Sequence, residues 1–255
     1  MTFMKNQIFI LLSIMGFSVF AQELELEFSA QTIKKLGEEE KAEILKNDPV
    51  YGKDQISMNE MPEPATYKMI ISNKESSFTY IEKISNNQDP NMPVIRYAPA
   101  GFGTTYHSLT DSVQIKDFNV YDKKYHSFDP LYIFDWEISR ETKIVSGYET
   151  RKATTTDKAG NSVTAWYAPK FSLSHGPAEF WGLPGIILEV EIKSKEFPIT
   201  NLYVVNSIKT SEEPLKVIKP NKGTQIKEEE IDRIFQEAND RRNQMFNDTS
   251  GVDKD

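Results

Sequence analysis

"EFWGLPGIILEVEI", Glu179–Ile192, is the stretch whose reading decides the fold. Pro184 fixes its own φ near −65° and pushes Leu183 towards extended geometry. Gly182 and Gly185 flank it and can take backbone conformations that a Cβ forbids. Two large rings, Phe180 and Trp181, precede this rigid turn, and the apolar run Ile186–Val190 follows it. Such a run, broken only by Glu189, suits a strand covered on both faces. The turn is either a structural corner or the wall of a site that holds Phe180 and Trp181 at a rim.

Outward from this corner the chain reads as strands. "ELELEFSA", Glu23–Ala30, alternates charge and apolar side chains, so Leu24, Leu26 and Phe28 face inward and Glu23, Glu25 and Glu27 outward. "TYKMIIS" and "SSFTYIEKI", joined by "NKE", form a hairpin rich in β-branched and aromatic residues. "FNVYD" and "YHSFD" form a second, turning at Lys123-Lys124. "YIFDWEIS", "KIVSGYETRKATTT" and "SVTAWYAP" continue the pattern, with Gly160-Asn161 at a turn. "IILEVEI" and "ITNLYVVNSIK" form a last hairpin. Strands at this spacing predict a mainly β, α+β fold, a curved antiparallel sheet or partial barrel.

Elsewhere, "TIKKLGEEEKAEILKN" predicts a weak helix broken near Gly37, and the Pro- and Gly-punctuated residues 48–64 a loop. Residues 86–110 form a long loop excursion. "TQIKEEEIDRIFQEANDRRNQMF" predicts a C-terminal amphipathic helix over about residues 226–247, with Thr224 as N-cap. Ile231, Ile234, Phe235, Ala238, Met245 and Phe246 form its apolar stripe, which covers the sheet, and a disordered tail follows over 248–255.

The first residues, "MTFMKNQIFILLSIMGFSVFAQ", place Lys5 before an apolar run and a small-x-small ending, the pattern of a secretory signal peptide over 1–21. The run is shorter than the roughly 20 residues a membrane span requires. Cleavage near Ala21-Gln22 leaves one β-rich domain, 22–247, exported to the periplasm or beyond, with no transmembrane segment. The chain of 255 residues contains no cysteine, which excludes disulfides, thiolate metal sites and thiol nucleophiles. Its net charge of −8, with no basic cluster, argues against nucleic acid and anionic membrane surfaces as partners.

The corner and two segments before it carry a resemblance. "WEISRETKIVSGYETRKATT" (136–155), "TAWYAPKFSLSHGP" (164–177) and "HGPAEFWGLPGIILEVE" (175–191) resemble the GLPGLI family of exported Bacteroidetes proteins. Thr150 stands where members often carry cysteine, so a thiol role does not carry over. The resemblance covers about residues 132–192 and implies an exported, β-rich protein of unassigned function. No catalytic residues transfer with it.

The chemistry-bearing residues form no sequence motif. His107, His126 and His175 are not paired at helical spacing, and no metal or cofactor site follows from them. G-x-S-x-G is absent, and "AGFGTT" lacks the third glycine of a nucleotide loop. Asp129, Asp135, Glu137 and Glu141 read as possible acids or as a solvated sheet face. Asp111-Ser112-Val113 matches a short acceptor pattern for O-glycosylation. The expected ligand-binding residues are Phe180, Trp181, Trp136, Trp166 and His175, with Gly182, Pro184 and Gly185 as the structural turn. With 15 phenylalanines, 11 tyrosines and 3 tryptophans, an aromatic-lined concavity for an apolar or extended ligand, such as a peptide, is the first expectation. The succession of strands, with a Trp-bearing strand after a glycine turn, is similar in general look to the periplasmic lipoprotein-carrier half-barrel, so the first expectation is a binding or chaperone-like module. The alternatives are an exported hydrolase of peptide or glycan, and an accessory partner of an envelope protein such as an outer-membrane receptor or transporter.

Overall fold

The computed structural model describes residues 23–82 and 98–249. The expected signal peptide and the last six residues of the expected tail lie outside these.

The chain opens with β1 (Glu23–Lys34), then α1 (Glu38–Asn47) and α2 (Gly52–Glu60). A meander follows: β2 (Ala65–Ser72), β3 (Glu75–Ile81), β4 (Thr104–Ser108), β5 (Val113–Val120) and β6 (Lys123–Pro130). A second runs through β7 (Glu137–Val145), β8 (Tyr148–Thr156), β9 (Ser162–Ala168), β10 (Ile186–Lys193) and β11 (Ile199–Ser211). The short β12 (Thr224–Ile226), a 3-10 turn (Glu228–Glu230) and α3 (Ile231–Thr249) close it. All twelve strands among the described residues join one sheet, ordered β12-β6-β5-β4-β3-β2-β1-β11-β10-β9-β8-β7. The sheet is open and curved, not a closed barrel, as the alternating patterns predict.

Strand β1 sits at its centre, paired to β2 on one side and β11 on the other. That position explains the strict burial of Leu24, Leu26 and Phe28, each 0% exposed. Glu23 departs from the outward expectation. It is buried, and its carboxylate accepts hydrogen bonds from the Ser72 hydroxyl and the Leu215 backbone N–H.

Several other expectations are corrected. The segment 48–64 is no loop, since α2 occupies its middle. Strand β1 runs on to Lys34, so the helix expected from residue 32 starts only at Glu38. The excursion expected over 86–110 is not loop throughout, because β4 pairs between β3 and β5 near its end; residues 86–97 lie outside the described ones. The second hairpin turns at Tyr121-Asp122, where Tyr121 takes φ 55°, and not at the lysines. Thr224 is no N-cap. It begins β12, which runs parallel to β6, so the sheet is mixed. The described part of the C-terminal helix stripe covers the sheet at β5, while the side chains of Met245 and Phe246 lie outside the described ones. Ile234 and Ala238 pack on Val120, and Phe235 stacks on Phe118 at 5.8 Å.

The Gly-Pro-Gly corner leads into β10. Gly182 takes φ +94°, and the Gly185 N–H donates to the Leu183 carbonyl at 2.8 Å. A Cβ on Gly185 would lie 2.4 Å from the Ala168 carbonyl oxygen, so no other residue fits without moving β9. Leu183 is pinned in the core, whereas Pro184 is exposed. Gly185→Val is therefore expected to cost at least roughly 1–3 kcal/mol. Pro184→Ala is expected to cost about 1 kcal/mol or less, through the unfolded state. Thermal melts of the two variants check this contrast. Equal midpoints for wild type and Gly185→Val would show that the corner needs no special backbone.

Candidate functional site

Strand register shows how the inner face of the sheet changes character. Near the centre it carries Leu26, Phe28, Tyr67, Met69 and Phe78, all buried. Two cross-strand rows on the same face then turn polar: Ser76–His107–Gln114–Asp129, and Thr105–Lys116–Ser127. Alternation keeps each row on one side, because β3 to β6 pair without a bulge.

Four separate segments close over these rows. They are residues 131–134 before β7, the β8–β9 turn, the loop before β10, and the 3-10 turn before α3. Together they enclose a small bay of about 150 Å³, lined by Gln114, Lys116, Tyr132, Lys158, Glu179 and Glu228 among others. Lys116 Nζ lies 2.7 Å from one Glu228 oxygen and Lys158 Nζ 2.6 Å from the other. Lys158 also stands 5.4 Å over the Tyr132 ring. The Glu228 N–H donates to Asp129, which anchors the 3-10 turn on β6.

The charges in the bay hold one another. Burial works against the Lys116 ammonium, but Glu179, Glu228 and Asp129 outweigh it and raise its pKa above the ordinary value. Burial would raise the Glu228 carboxyl, but Lys116 and Lys158 outweigh that and hold it below the ordinary carboxylate value. Asp157 is occupied by its own turn, accepting from the N–H groups of Ala159 and Asn161. Glu179 differs. It lines the bay and acts on Lys116 through space, yet makes no hydrogen bond or ion pair to any described residue.

Behind the bay lie two buried imidazoles. His107 Nε2 is 3.0 Å from the Gln114 side-chain oxygen. Burial pushes its pKa down to about 3, the Gln114 bond resisting and His175 adding to the fall. His175 is 0% exposed, and neither ring nitrogen has a hydrogen-bond partner of good geometry. Burial lowers its pKa to about 4, tempered only by the nearby Asn73 backbone. Both rings are neutral at pH 7. His107 and His175 thus neighbour each other, whereas His126 lies apart on the other face, its Nδ1 3.2 Å from the Lys222 carbonyl. Among the described residues no group of three or more His, Asp or Glu is arranged to hold a metal ion.

The expected aromatic site does not assemble at a rim. Phe180 is 0% exposed and packs on Phe134 with ring centroids 5.3 Å apart. Trp181 donates its indole N–H to the Tyr132 carbonyl, and Trp136 donates to the Trp181 carbonyl. The two indoles therefore rivet residues 132–136 to the corner. Trp166 lies elsewhere, under the Lys143 ammonium at 4.4 Å. His175 forms an isolated bridge with Trp181, which places it inside the folded-back loop. Of the possible acids, Asp129 reaches the edge of the bay, while Asp135, Glu137 and Glu141 are exposed. Ser112 of the acceptor pattern sits in the exposed turn before β5.

Sequence reading missed Glu179, Gln114, Lys116, Lys158 and Glu228. One signal was present: Glu179 is a charge between Ala178 and Phe180 in an otherwise apolar corner. The others meet only through long-range pairing.

Two comparisons bear on this corner and sheet. A family model described as "Protein of unknown function (Porph_ging)" matches residues 157–189. That short match runs from the β8–β9 turn, through Glu179 and the corner, into β10. No curated protein matches the sequence. Two structures of PNGF-II, solved in different space groups, are similar at 14% identity over 86% of this chain, with TM-scores of 0.52 and 0.53. An uncharacterized conserved protein from Thermus thermophilus is similar at 6% identity over 80% of this chain and 90% of its own, with a TM-score of 0.40. The chain spans about a third of the length of PNGF-II, 33% and 34% in the two structures. At such identity the PNGF-II likeness is one of fold alone. Among the described residues no helix is long and apolar enough to cross a membrane.

Proposed function

We propose that the chain is a binding module of the GLPGLI type, exported after cleavage near Ala21-Gln22, whose ligand site is the polar bay. The carrying observation is Glu179, a carboxylate that lines a cavity and makes no hydrogen bond or ion pair to any described residue. Its neighbours Lys116, Glu228 and Lys158 are hydrogen-bonded to one another, whereas Glu179 acts on Lys116 only through space and keeps its hydrogen-bonding capacity with respect to the described residues. A ligand that donates to Glu179 completes the set. The bay is too small and too polar for a lipid or a long apolar chain, which moves the ligand class from the apolar one expected to a compact polar one.

A binding reading is favoured over hydrolysis by the state of Glu228. Two ammonium groups hold it ionised, which suits an anchor and not a proton donor. The resemblance of residues 132–192 to GLPGLI proteins and the signal-like first residues support export, and 22–247 is read as one domain.

Native mass spectrometry of the protein purified from its own envelope tests the reading. The wild type is expected to retain a small adduct that Glu179→Leu loses while melting within a few degrees of wild type. An adduct kept equally by both would place the ligand elsewhere.

A further inference from the structure

The charge balance of the bay narrows the ligand class further, on the reading that the bay is the binding site. Its lining carries three carboxylates, Asp157, Glu179 and Glu228, against two ammonium groups, Lys116 and Lys158. Both ammonium groups face the same partner, Lys116 Nζ 2.7 Å from one Glu228 oxygen and Lys158 Nζ 2.6 Å from the other. Asp157 accepts hydrogen bonds within its own turn, and Asp129 adds a negative charge at the edge of the bay. Negative charge is therefore in excess. Within the bay, Glu179 is the carboxylate that makes no hydrogen bond or ion pair to any described residue. Lys116 reports the sign of the field. Burial works against its ammonium, yet Glu179, Glu228 and Asp129 together keep its pKa above the ordinary value.

Gln114 is an independent pointer to a ligand. Its side chain lines the bay and is 4% exposed. One end of its amide meets His107 Nε2 at 3.0 Å, and the side chain makes no other hydrogen bond to a described residue. The other end is left to the bay, and a buried amide end calls for a partner. In one orientation of the amide that end is a carbonyl, a second acceptor beside Glu179. In the other it is an N–H donor for an oxygen carried next to the charge of the ligand.

The candidate classes differ in how they meet this lining. An anion would face three carboxylates. A neutral hydroxyl can donate to Glu179 but leaves the excess charge standing in a partly enclosed space, where an unneutralised charge is costly. Among the described residues no group of three or more His, Asp or Glu is arranged to hold a metal ion. A primary ammonium carries one positive charge and three N–H donors, so it offsets the excess and donates to Glu179 with hydrogens to spare. The rings add little, because Lys158 stands over Tyr132 and Phe134 packs on Tyr132, Trp136 and Phe180. At about 150 Å³ the bay is well below the roughly 300–1,000 Å³ of sites for drug-sized ligands, so it takes a head group.

We infer that the bay binds a primary ammonium group, with the Glu179 carboxylate as its counter-ion and the Gln114 amide as a second contact to the same ligand. Free small amines and the lysine side chains of peptides both carry this group.

Calorimetry on the full mature chain at neutral pH tests this with ethylamine, ethanolamine and Nα-acetyl-lysine methylamide. Ethylene glycol and glucose serve as neutral probes, inorganic phosphate as the anion and tetramethylammonium as a cation without N–H donors. At least one primary amine is expected to bind, and ethanolamine to bind more tightly than ethylene glycol, its neutral counterpart. Glu179→Gln, which keeps the shape and removes the charge, should weaken the amine by roughly tenfold or more while melting within a few degrees of wild type. The comparison of ethanolamine with ethylene glycol needs only the wild type, so it decides the class even where the variant fails to fold. Tighter binding of the lysine derivative than of ethylamine would assign the ammonium to a peptide, and the reverse to a free amine. Binding of glucose, ethylene glycol or phosphate that Glu179→Gln weakens, with no amine bound, would overturn the ammonium class and leave the bay as the site. Tetramethylammonium bound as tightly as the primary amines would overturn that class too. No binding of any probe by folded wild type, or amine binding untouched by Glu179→Gln, would overturn both the class and the site.

Discussion

Phe180→Ala is expected to lower stability by about 3–5 kcal/mol, the cost of removing a large ring from a packed core. For a chain of this size that corresponds to a melting midpoint lower by roughly 6–20 °C. The ring is fully buried and rests on Phe134. Its backbone is fixed as well, since the Phe180 N–H donates to the Pro177 carbonyl. Collapse around the missing ring is hindered by the corner. Gly182 and Gly185 hold the loop in a conformation that leaves little room to settle inward. Urea titration measures the loss. A change under about 1 kcal/mol would place the ring at a surface and restore the rim reading. Trp181 offers a comparison, because Trp181→Phe keeps an aromatic ring while removing the N–H bond to Tyr132, worth about 0.5–1.5 kcal/mol, together with part of the indole's packing.

Acid is expected to weaken the fold from about pH 6.5 downward, through two buried imidazoles. His107 and His175 have pKa values of about 3 and about 4 in the folded protein, against 6.5 when unperturbed. Their folded values are depressed, so the unfolded chain binds protons first as pH falls. Full stability is present above 6.5 and declines through the window below it, by about 1.4 kcal/mol per pH unit for each buried ring. For His175 the decline ends near pH 4, after a loss of about 3 kcal/mol. Glu228, held below its ordinary value of 4.5, adds its own loss only once pH falls below about 4.5. Melting midpoints of wild type and His175→Leu from about pH 8 to about pH 4.5 separate the contributions. The variant should show about half the slope. At the alkaline end it should be as stable as wild type or more so, because it removes a buried polar ring with unsatisfied nitrogens. Equal slopes would mean that water or a shift of the loop solvates His175 in solution.

Most of the architecture was legible because β periodicity is local. Leu24, Leu26 and Phe28 announce an inward face whichever strands flank them, and "NKE" turns a hairpin on its own. The helix α2 was hidden because Pro49, Gly52, Pro62 and Pro64 bracket it, and the bracket reads as loop throughout. Thr224 had the chemistry of an N-cap, but pairing with β6 claimed its backbone first. The site was the least legible part. Its lining comes from β5, the β8–β9 turn, the corner loop and the 3-10 turn, which register alone brings together. A lysine in "VQIKDF" looks like any outward strand residue until β6 and Glu228 enclose it. The tryptophans misled for a related reason. A large aromatic beside a rigid turn can serve either as an anchor for a ligand or as an anchor for the chain itself, and hydrogen bonds to Tyr132 and Trp181 show the second use.

The central place of β1 has a consequence for how the molecule is made. Each meander, β2 to β6 and β7 to β11, can zip from its own turns. The ladder between β1 and β11 cannot, because Glu23 must meet Ser211 near the other end of the chain. Closing so long a loop costs chain entropy before any contact rewards it, and topologies of this kind fold in milliseconds to seconds. In a chain that emerges from its N-terminus, β1 is the first strand available and among the last to gain both neighbours. Until β11 arrives, the Leu24–Leu26–Phe28 face is paired on one side only, an open edge on which another chain could add. The interval between the first and the eleventh strand is therefore the period in which this protein is most exposed to aggregation.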